Sequence, residues 1–142
     1  MSTTVALLVA LAVAFVAWKA LARATAPVVY ARMRRNRILL RRVGAAEEVE
    51  APVDRPFSNE RSLVADFGAA EDCMKQGLAR FRTFLGPVVV VHPLEAVSGG
   101  LSEVEQRTLQ ELPVGAGASH VVVWVGPELS DEQVRAKARG RA

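Results

Sequence analysis

The stretch "LSEVEQRTLQELPVGAGASHVVVWVGP", Leu101 to Pro127, decides the fold of this chain. Ser102 is a good helix N-cap, and two glutamates follow it in the first turn, where carboxylates favour the positive end of the helix dipole. Apolar positions then recur at helical spacing as far as Pro113, which is predicted to end the helix. After a glycine turn, "VVVWV" (Val121 to Val125) is apolar on both faces. The stretch therefore predicts a helix, a turn and a buried strand.

The preceding segment shows the same pattern. Asp66 can cap a helix whose apolar stripe runs to Leu85, and Gly86-Pro87 should end it. "VVVV", Val88 to Val91, predicts a second buried strand. Because a helix joins the two strands, they should be parallel with a right-handed crossover. The chain is thus predicted to form a small α-β-α-β(-α) module over residues 58–130, in the α/β class, followed by a charged tail over residues 131–142 in which Ser130 caps a short helix.

A sheet of only two strands leaves both of its edges open and is only marginally stable on its own. The module is therefore expected to pair its sheet with another chain or to lean on a membrane, unless its own helices cover it. The candidate interface residues lie on the two strands: Val88, Val90, Val121, Val123 and Trp124.

The N-terminal segment predicts a membrane anchor. "VALLVALAVAFVAW", Val5 to Trp18, contains no charge, and a snorkelling Lys19 extends the apolar run to about Leu21. Trp18 lies where an interfacial aromatic residue would. The alternatives are a cleaved signal peptide, which typically begins with basic residues, and a buried core helix. We predict a single transmembrane helix over residues 1–24.

The charge of the chain is lopsided, which predicts an orientation. The first 46 residues carry eight of the 18 basic side chains and no acid, so residues 47–142 hold ten basic and 15 acidic side chains. The basic residues follow the apolar run, and the positive-inside rule assigns that side to the cytoplasm. We expect a single-pass protein of the bacterial inner membrane, with its N-terminus outside. The acidic balance of the rest predicts no nucleic-acid partner.

"PVVYARMRRNRILLRRV", Pro27 to Val43, separates apolar from basic residues on a helical wheel. It predicts a basic juxtamembrane amphipathic helix over residues 25–46, or a plain positive-inside stop signal, and then a flexible linker over residues 47–57. An amphipathic helix would lie on anionic lipid of the inner leaflet. The predicted membrane-surface contacts are the arginines Arg32, Arg34, Arg35, Arg37, Arg41 and Arg42.

Few residues suggest catalysis. Cys73 is the only cysteine and is interpreted as a small apolar side chain on a helix. His92 ends the first strand, where α/β units place their sites, and serines and glutamates follow it in the sequence. No nucleophile with an orienting base is evident, so we predict no catalytic, cofactor or metal site.

The segment Leu63–Pro127 resembles part of MreB, the bacterial actin homologue that determines rod shape. "LVADF", Leu63 to Phe67, looks like the "IADF" helix of that family, and "VVVVHP" lies where the family has a strand ending in a loop with proline. The stretch after Leu101 aligns without a gap to the family pattern T-E-V-E-R-R-A-V-x-x-A-A-x-G-A-G-A-x-x-V-x-x-I-E-E-P. The matching residues include Ser102, Glu103, Val104, Glu105, Arg107, Gly115, Ala116, Gly117, Ala118, Val121 and Pro127.

The chain departs from MreB at the ATP site. The family's glycine-rich phosphate loop has no counterpart, and its Glu-Glu-Pro is Val125-Gly126-Pro127 here. The resemblance therefore implies one piece of an actin-like subdomain that lacks the ATP site. We expect a membrane-anchored, non-catalytic binding module that self-associates or contacts an MreB-like filament of the cell-envelope machinery. The alternatives are a module of an unrelated secretion, stress or defence system, or a small membrane-bound enzyme that uses His92.

Overall fold

The computed structural model describes residues 2–81 and 83–140, and it is a mixed α/β structure built on one five-stranded sheet. The helices are α1 (Thr3–Thr25), α2 (Phe67–Leu78), α3 (Glu103–Gly115) and α4 (Asp131–Ala138), with a 3-10 turn at Ala79–Phe81. The strands are β1 (Val28–Arg34), β2 (Arg37–Arg42), β3 (Glu48–Glu50), β4 (Val88–Pro93) and β5 (His120–Val123). Their order across the sheet is β3-β2-β1-β4-β5.

The parallel pairing of the two valine strands is confirmed. β4 lies parallel to β5, with Val89 opposite Val121, and α3 connects them. β1 also lies parallel to β4 on its other side, with Val29 opposite Val89. Strand β4 is therefore the centre of a three-stranded parallel unit, and the side chains from Val88 to Pro93 are all buried.

The predicted amphipathic helix over residues 25–46 is wrong, because this segment forms the antiparallel hairpin β1–β2. Its apolar residues satisfy a period of two as well as a helical period: Val29, Ala31 and Met33 face one side of β1 and are fully buried. The two-residue loop Arg35-Asn36 closes the hairpin, with Asn36 at a φ of 51°.

The predicted domain boundaries are therefore also wrong. The supposed linker over residues 47–57 contains edge strand β3, which pairs with β2, and Phe57, which is fully buried. The α/β unit begins at Val28 rather than at residue 58. The hairpin adds the strands that a two-stranded sheet would lack, so the expected shortage of sheet partners does not arise.

The sheet is covered on both faces, as strands apolar on both sides require. Helices α2 and α3 pack on one face over a core that includes Met33, Leu40 and Val91. On the other face lie α4, through Val134, and the segment before it, through Leu129. The predicted charged tail is thus part of the fold as far as residue 140, because Val134 is fully buried; residues 141–142 lie outside the described residues.

The predicted helix starts are confirmed and two predicted ends are not. Asp66, Ser102 and Ser130 are N-caps, and the two serines form capping boxes with residues three positions on. Pro113 lies inside α3, which continues to Gly115, and α2 gives way to a 3-10 turn after Leu78 rather than at Leu85. Since helix ends tighten readily into 3-10 geometry, local sequence predicts them less well than N-caps.

Helix α1 stands apart from this core. Its segment Thr3–Ala22 has a mean hydropathy of 2.4 and is not buried within the molecule. Ala26 and Pro27 alone separate α1 from β1. The chain thus has one N-terminal apolar helix of membrane-spanning length, joined to a mixed α/β domain by two residues.

Candidate functional site

His92, the residue considered for catalysis, lies near the end of β4 on the face covered by α4 and is 1% exposed. Its Nε2 is 2.8 Å from the carbonyl oxygen of Gly126, and its Nδ1 is 2.5 Å from the hydroxyl oxygen of Tyr30. The Tyr30 hydroxyl also accepts from the backbone N–H of Leu129 at 3.2 Å. These contacts join β1, β4 and the chain that follows β5.

The hydrogen-bond partners fix the tautomer of His92. A carbonyl oxygen can only accept, so Nε2 carries the proton and donates to Gly126. The Nδ1 atom of the neutral ring then accepts from the Tyr30 O–H. Burial lowers the pKa of His92 and raises the pKa of Tyr30, so the pair stays neutral. Both ring nitrogens are engaged, which is the arrangement of a structural histidine.

The six arginines predicted to contact the membrane lie on the hairpin and not on one helical face. Five of them have acidic partners: Arg32 with Glu48 and Glu128, Arg34 and Arg35 with Glu95, Arg37 with Glu50, and Arg41 with Asp131. Arg35, Asn36 and Arg37 form the turn at the end of β1 that is remote from α1. That end is about 20 Å from Val28, at 3.3 Å per strand residue.

Arg32 is the most enclosed of these arginines, with its side chain 21% exposed. Its Nη1 is 2.9 Å from Glu128 Oε1, and its other terminal nitrogen pairs with Glu48. The guanidinium groups of Arg32 and Arg41 each lie 5.9 Å from the centre of the Tyr30 ring. These arginines therefore tie β1 and β2 to the segments around them.

The predicted interface strands have different positions in the sheet. Val88 and Val90 are buried on β4, which is flanked by β1 and β5 and so offers no edge. The prediction of an open edge is therefore wrong for β4. β5 is an edge strand among the described residues; Val121 on it is buried, while Val123 and the following Trp124 are partly exposed. Trp124 donates its indole N–H to the Pro127 carbonyl at 2.9 Å.

A cavity of about 100 Å³, which the sequence did not predict, lies beyond the carboxyl end of β4. It is bounded by the first turns of α3, the loop after Pro93, and the segment Ser62–Val64. Its wall is mainly apolar, and Glu95 supplies a carboxylate that accepts from the Arg35 backbone N–H at 2.8 Å. Val104, at its rim, is 75% exposed. Helix α3, the loop that precedes it and a segment that is distant in the sequence build this cavity, so no local pattern predicts it.

Cys73 offers no reactive thiol. It is buried on α2, and burial raises its pKa to about 11, with Asp54 and Glu50 adding to the shift. A thiol with such a pKa is almost entirely protonated at neutral pH. The interpretation of Cys73 as an apolar core residue is therefore confirmed.

These observations define the chain as a small mixed α/β protein with one N-terminal helix of membrane-spanning length and composition. Over 98 residues it is 37% identical to the "Uncharacterized protein YjaA" of Escherichia coli (strain K12), a match that covers 63% of this chain and 76% of that protein. The chain belongs to the family of YjaA. No protein-family model matches the chain, and no solved structure matches it significantly.

Proposed function

We propose that this protein is a membrane-anchored, non-catalytic binding module on the cytoplasmic side of the bacterial inner membrane. The observation that carries the proposal is α1, whose 20-residue apolar segment is unburied and leads within two residues into the first strand. In water, so large an apolar surface would be strongly unfavourable. A bilayer removes that surface from water, and 20 helical residues match its hydrocarbon core of about 30 Å.

Charge supports the cytoplasmic orientation. Lys19 and Arg23 end the apolar segment, and the arginines of β1 and β2 follow it. Positive residues close behind a single span retain that side in the cytoplasm. A cleaved signal sequence is the main alternative, since an apolar N-terminal helix has the same composition in both cases.

Anchoring is tested by extracting membranes from cells that express the full chain with alkaline carbonate. We expect the protein to stay in the membrane pellet at its full length. Release into the supernatant, or a chain shortened by about the length of α1, would contradict an anchor and favour a signal sequence. A variant with Ala10→Arg and Val13→Arg in the middle of α1 is the control, because two charges at the bilayer centre oppose insertion.

The binding role is supported by two exposed features of the α/β domain. Within residues 2–81 and 83–140, strand β5 lies at the edge of the sheet and pairs on one side only, so an extended segment of a partner can join it. The cavity beneath Val104 adds a mainly apolar recess whose lining includes Glu95 and Glu105. The buried, doubly bonded His92 supports a non-catalytic role, because catalysis at its ring would require breaking one of those bonds.

The partner to test first is an MreB-like filament, because Leu63–Pro127 resembles part of that family. Support for this choice comes from the arrangement of α2, β4, α3 and β5, two parallel strands each preceded by a helix. The full chain in lipid nanodiscs would be mixed with purified MreB, and the complex followed by analytical ultracentrifugation. Co-sedimentation would support a role as a cytoskeletal adaptor. Failure to co-sediment with MreB would favour self-association or a role in an unrelated system.

The edge of β5 is probed in the same experiment with a matched pair of variants. Val122→Lys adds a charge to the edge strand and should weaken pairing with a partner or a second copy, because charged side chains block edge-to-edge addition. Val122→Thr keeps the shape and should retain association. If both variants associate equally, the partner does not bind at the edge of β5, and the cavity becomes the candidate binding site.

A further inference from the structure

The amino ends of the three parallel strands lie at the side of the domain where α1 joins it. Strand β1 follows α1 directly, and β4 and β5 run parallel to β1. The turn before β4 and the turn before β5 must therefore lie near the end of α1. Leu85 and Ser119, from these two turns, line one cleft with Phe15, Val16 and Lys19 of α1.

Phe84 projects from the turn before β4. It is 84% exposed, and its ring lies 5.0 Å from the ring of Trp18 on α1, edge to face. Exposing a phenylalanine to water forgoes roughly 1.5–3 kcal/mol of burial free energy. Trp18 and Lys19 are residues of the kind that lie at the level of lipid headgroups, so Phe84 lies at that level too.

The turn that carries Phe84 is fixed rather than loose. The Gly86 N–H donates to the Thr83 carbonyl at 3.1 Å, and the Ser119 hydroxyl donates to the Gly86 carbonyl at 3.0 Å. Gly86 has a φ of 77°, and a Cβ there would lie 2.1 Å from the Gly117 carbonyl oxygen. The two turns therefore support each other and hold the Phe84 backbone in place.

Basic side chains surround the same end of the domain. A second cleft, next to Ala24 and Pro27, is lined by Arg42, Arg135 and Arg139, and none of its lining residues in the described part of the chain is acidic. Arginines within a few ångströms of a bilayer surface attract anionic headgroups by about 1 kcal/mol each. Of the six arginines predicted to contact lipid, Arg42 is the one that lines this cleft.

We propose that the Thr83–Gly86 turn is a second membrane-contact site, in which Phe84 inserts beside Trp18 into the interfacial layer of the leaflet from which α1 emerges. Arg42, Arg135 and Arg139 face the anionic headgroups of that leaflet. The proposal rests on α1 being a membrane anchor. Two contacts fix the tilt of the domain, so the opposite end, with the cavity and Val104, points away from the bilayer towards soluble partners.

The test uses the full chain in liposomes of phosphatidylcholine and phosphatidylglycerol, with a fluorescent probe that reports polarity. The Phe84→Cys variant carries the probe in the turn, and Val104→Cys carries it at the opposite end as the matched control. Cys73 is left in place, since it is buried with a raised pKa, and the unmodified chain measures its residual labelling.

We expect blue-shifted emission from the probe at residue 84, strong quenching by headgroup-level nitroxide lipid, and iodide quenching several-fold weaker than at residue 104. Equal iodide quenching at both positions, in a chain that resists carbonate extraction, overturns the Phe84 contact and leaves the anchor intact. Loss of the chain from the liposomes on carbonate treatment overturns the anchor and the contact together.

Discussion

At the scale of single residues, the chain of hydrogen bonds through His92 explains how β4 is held to its neighbours. The imidazole is buried, and each of its nitrogens has one partner of fixed role. Protonation of Nδ1 would place two donors against each other at the Tyr30 contact, unless the phenol turned away. Loss of this contact on protonation would make the fold sensitive to acid.

Acidification should destabilise the protein through His92. Because burial lowers the pKa of His92 in the folded state, the unfolded chain binds the proton first. The contribution of His92 to stability is complete above the unfolded pKa of about 6.5 and is lost as pH falls below it, with a limiting slope of about 1.4 kcal/mol per pH unit. Urea unfolding between pH 7.5 and 5, followed by circular dichroism, measures this slope.

Two variants assign the slope to a residue. His92→Gln keeps a group able to donate to Gly126 but cannot titrate, so its stability should change less between these pH values. His120→Gln makes the same substitution at the exposed histidine that starts β5 and is the matched control. An unchanged slope in His92→Gln would show that another group is responsible.

Gly77 should resist replacement even though glycine is unfavourable inside a helix. A Cβ at Gly77 would lie 2.5 Å from Leu40 Cδ1 and 2.8 Å from Ala51 Cβ, so α2 approaches the sheet closely here. We expect Gly77→Ala to lower the free energy of unfolding by about 1–3 kcal/mol, since overpacking outweighs a helix-propensity gain of about 1 kcal/mol. Lys75→Ala, on the exposed side of α2, is the control; equal stabilities would refute the close approach.

At the scale of elements, local signals and distant pairing explain what could be predicted. The helix after Ser102 and the strand after Ala118 follow from a cap and a run of valines, and both elements are present. Their predicted ends are wrong, because α3 continues past Pro113 to Gly115 and β5 ends at Val123, and β5 is only partly buried. The hairpin was not predicted, because the apolar residues of Pro27–Val43 fit both a helical and an alternating period. This segment forms a strand rather than a helix because Val29 pairs with Val89, which lies far along the chain. Local patterns could not reveal such a partner, or a cavity built from one helix, the loop before it and a segment that is distant in the sequence.

Substitutions at Asn36 distinguish the hairpin from the helix. Asn36 has a positive φ, and its side-chain oxygen accepts from the backbone N–H groups of Phe57 and Ser58, both at 2.8 Å. Asn36→Ala loses both bonds and strains the turn, while Asn36→Gly loses the bonds alone. We therefore expect thermal unfolding to rank wild type above Gly and Gly above Ala. In a helix, alanine would be the most stable of the three.

At the scale of the whole molecule, the α/β domain and the apolar helix α1 have separate sources of stability, and two residues join them. The buried apolar residues of the sheet and its helices lie between Val29 and Val134, and none of those that the structure describes belongs to α1. Their burial joins β1–β3 with β4 and β5 in one core. The hairpin is therefore indispensable to the domain, and α1 is not.

Truncation should make this division visible. A fragment of residues 27–142 should fold cooperatively, with dispersed amide signals in an NMR spectrum. A fragment of residues 52–142 lacks β1, β2 and β3 and exposes one side of β4, so we expect it to aggregate or remain unfolded. A well-folded shorter fragment would mean that the hairpin is an accessory to the fold.

The central claim is that α1 anchors the domain in the inner membrane with its C-terminal end in the cytoplasm. The most direct measurement fuses green fluorescent protein, or alkaline phosphatase, to the C-terminus of the full chain and compares their activities in bacteria. We expect the green fluorescent protein fusion to give fluorescent cells and the phosphatase fusion to be inactive, with both fusions in the membrane fraction. An active phosphatase with dark cells would place the domain outside the cytoplasm and contradict the account.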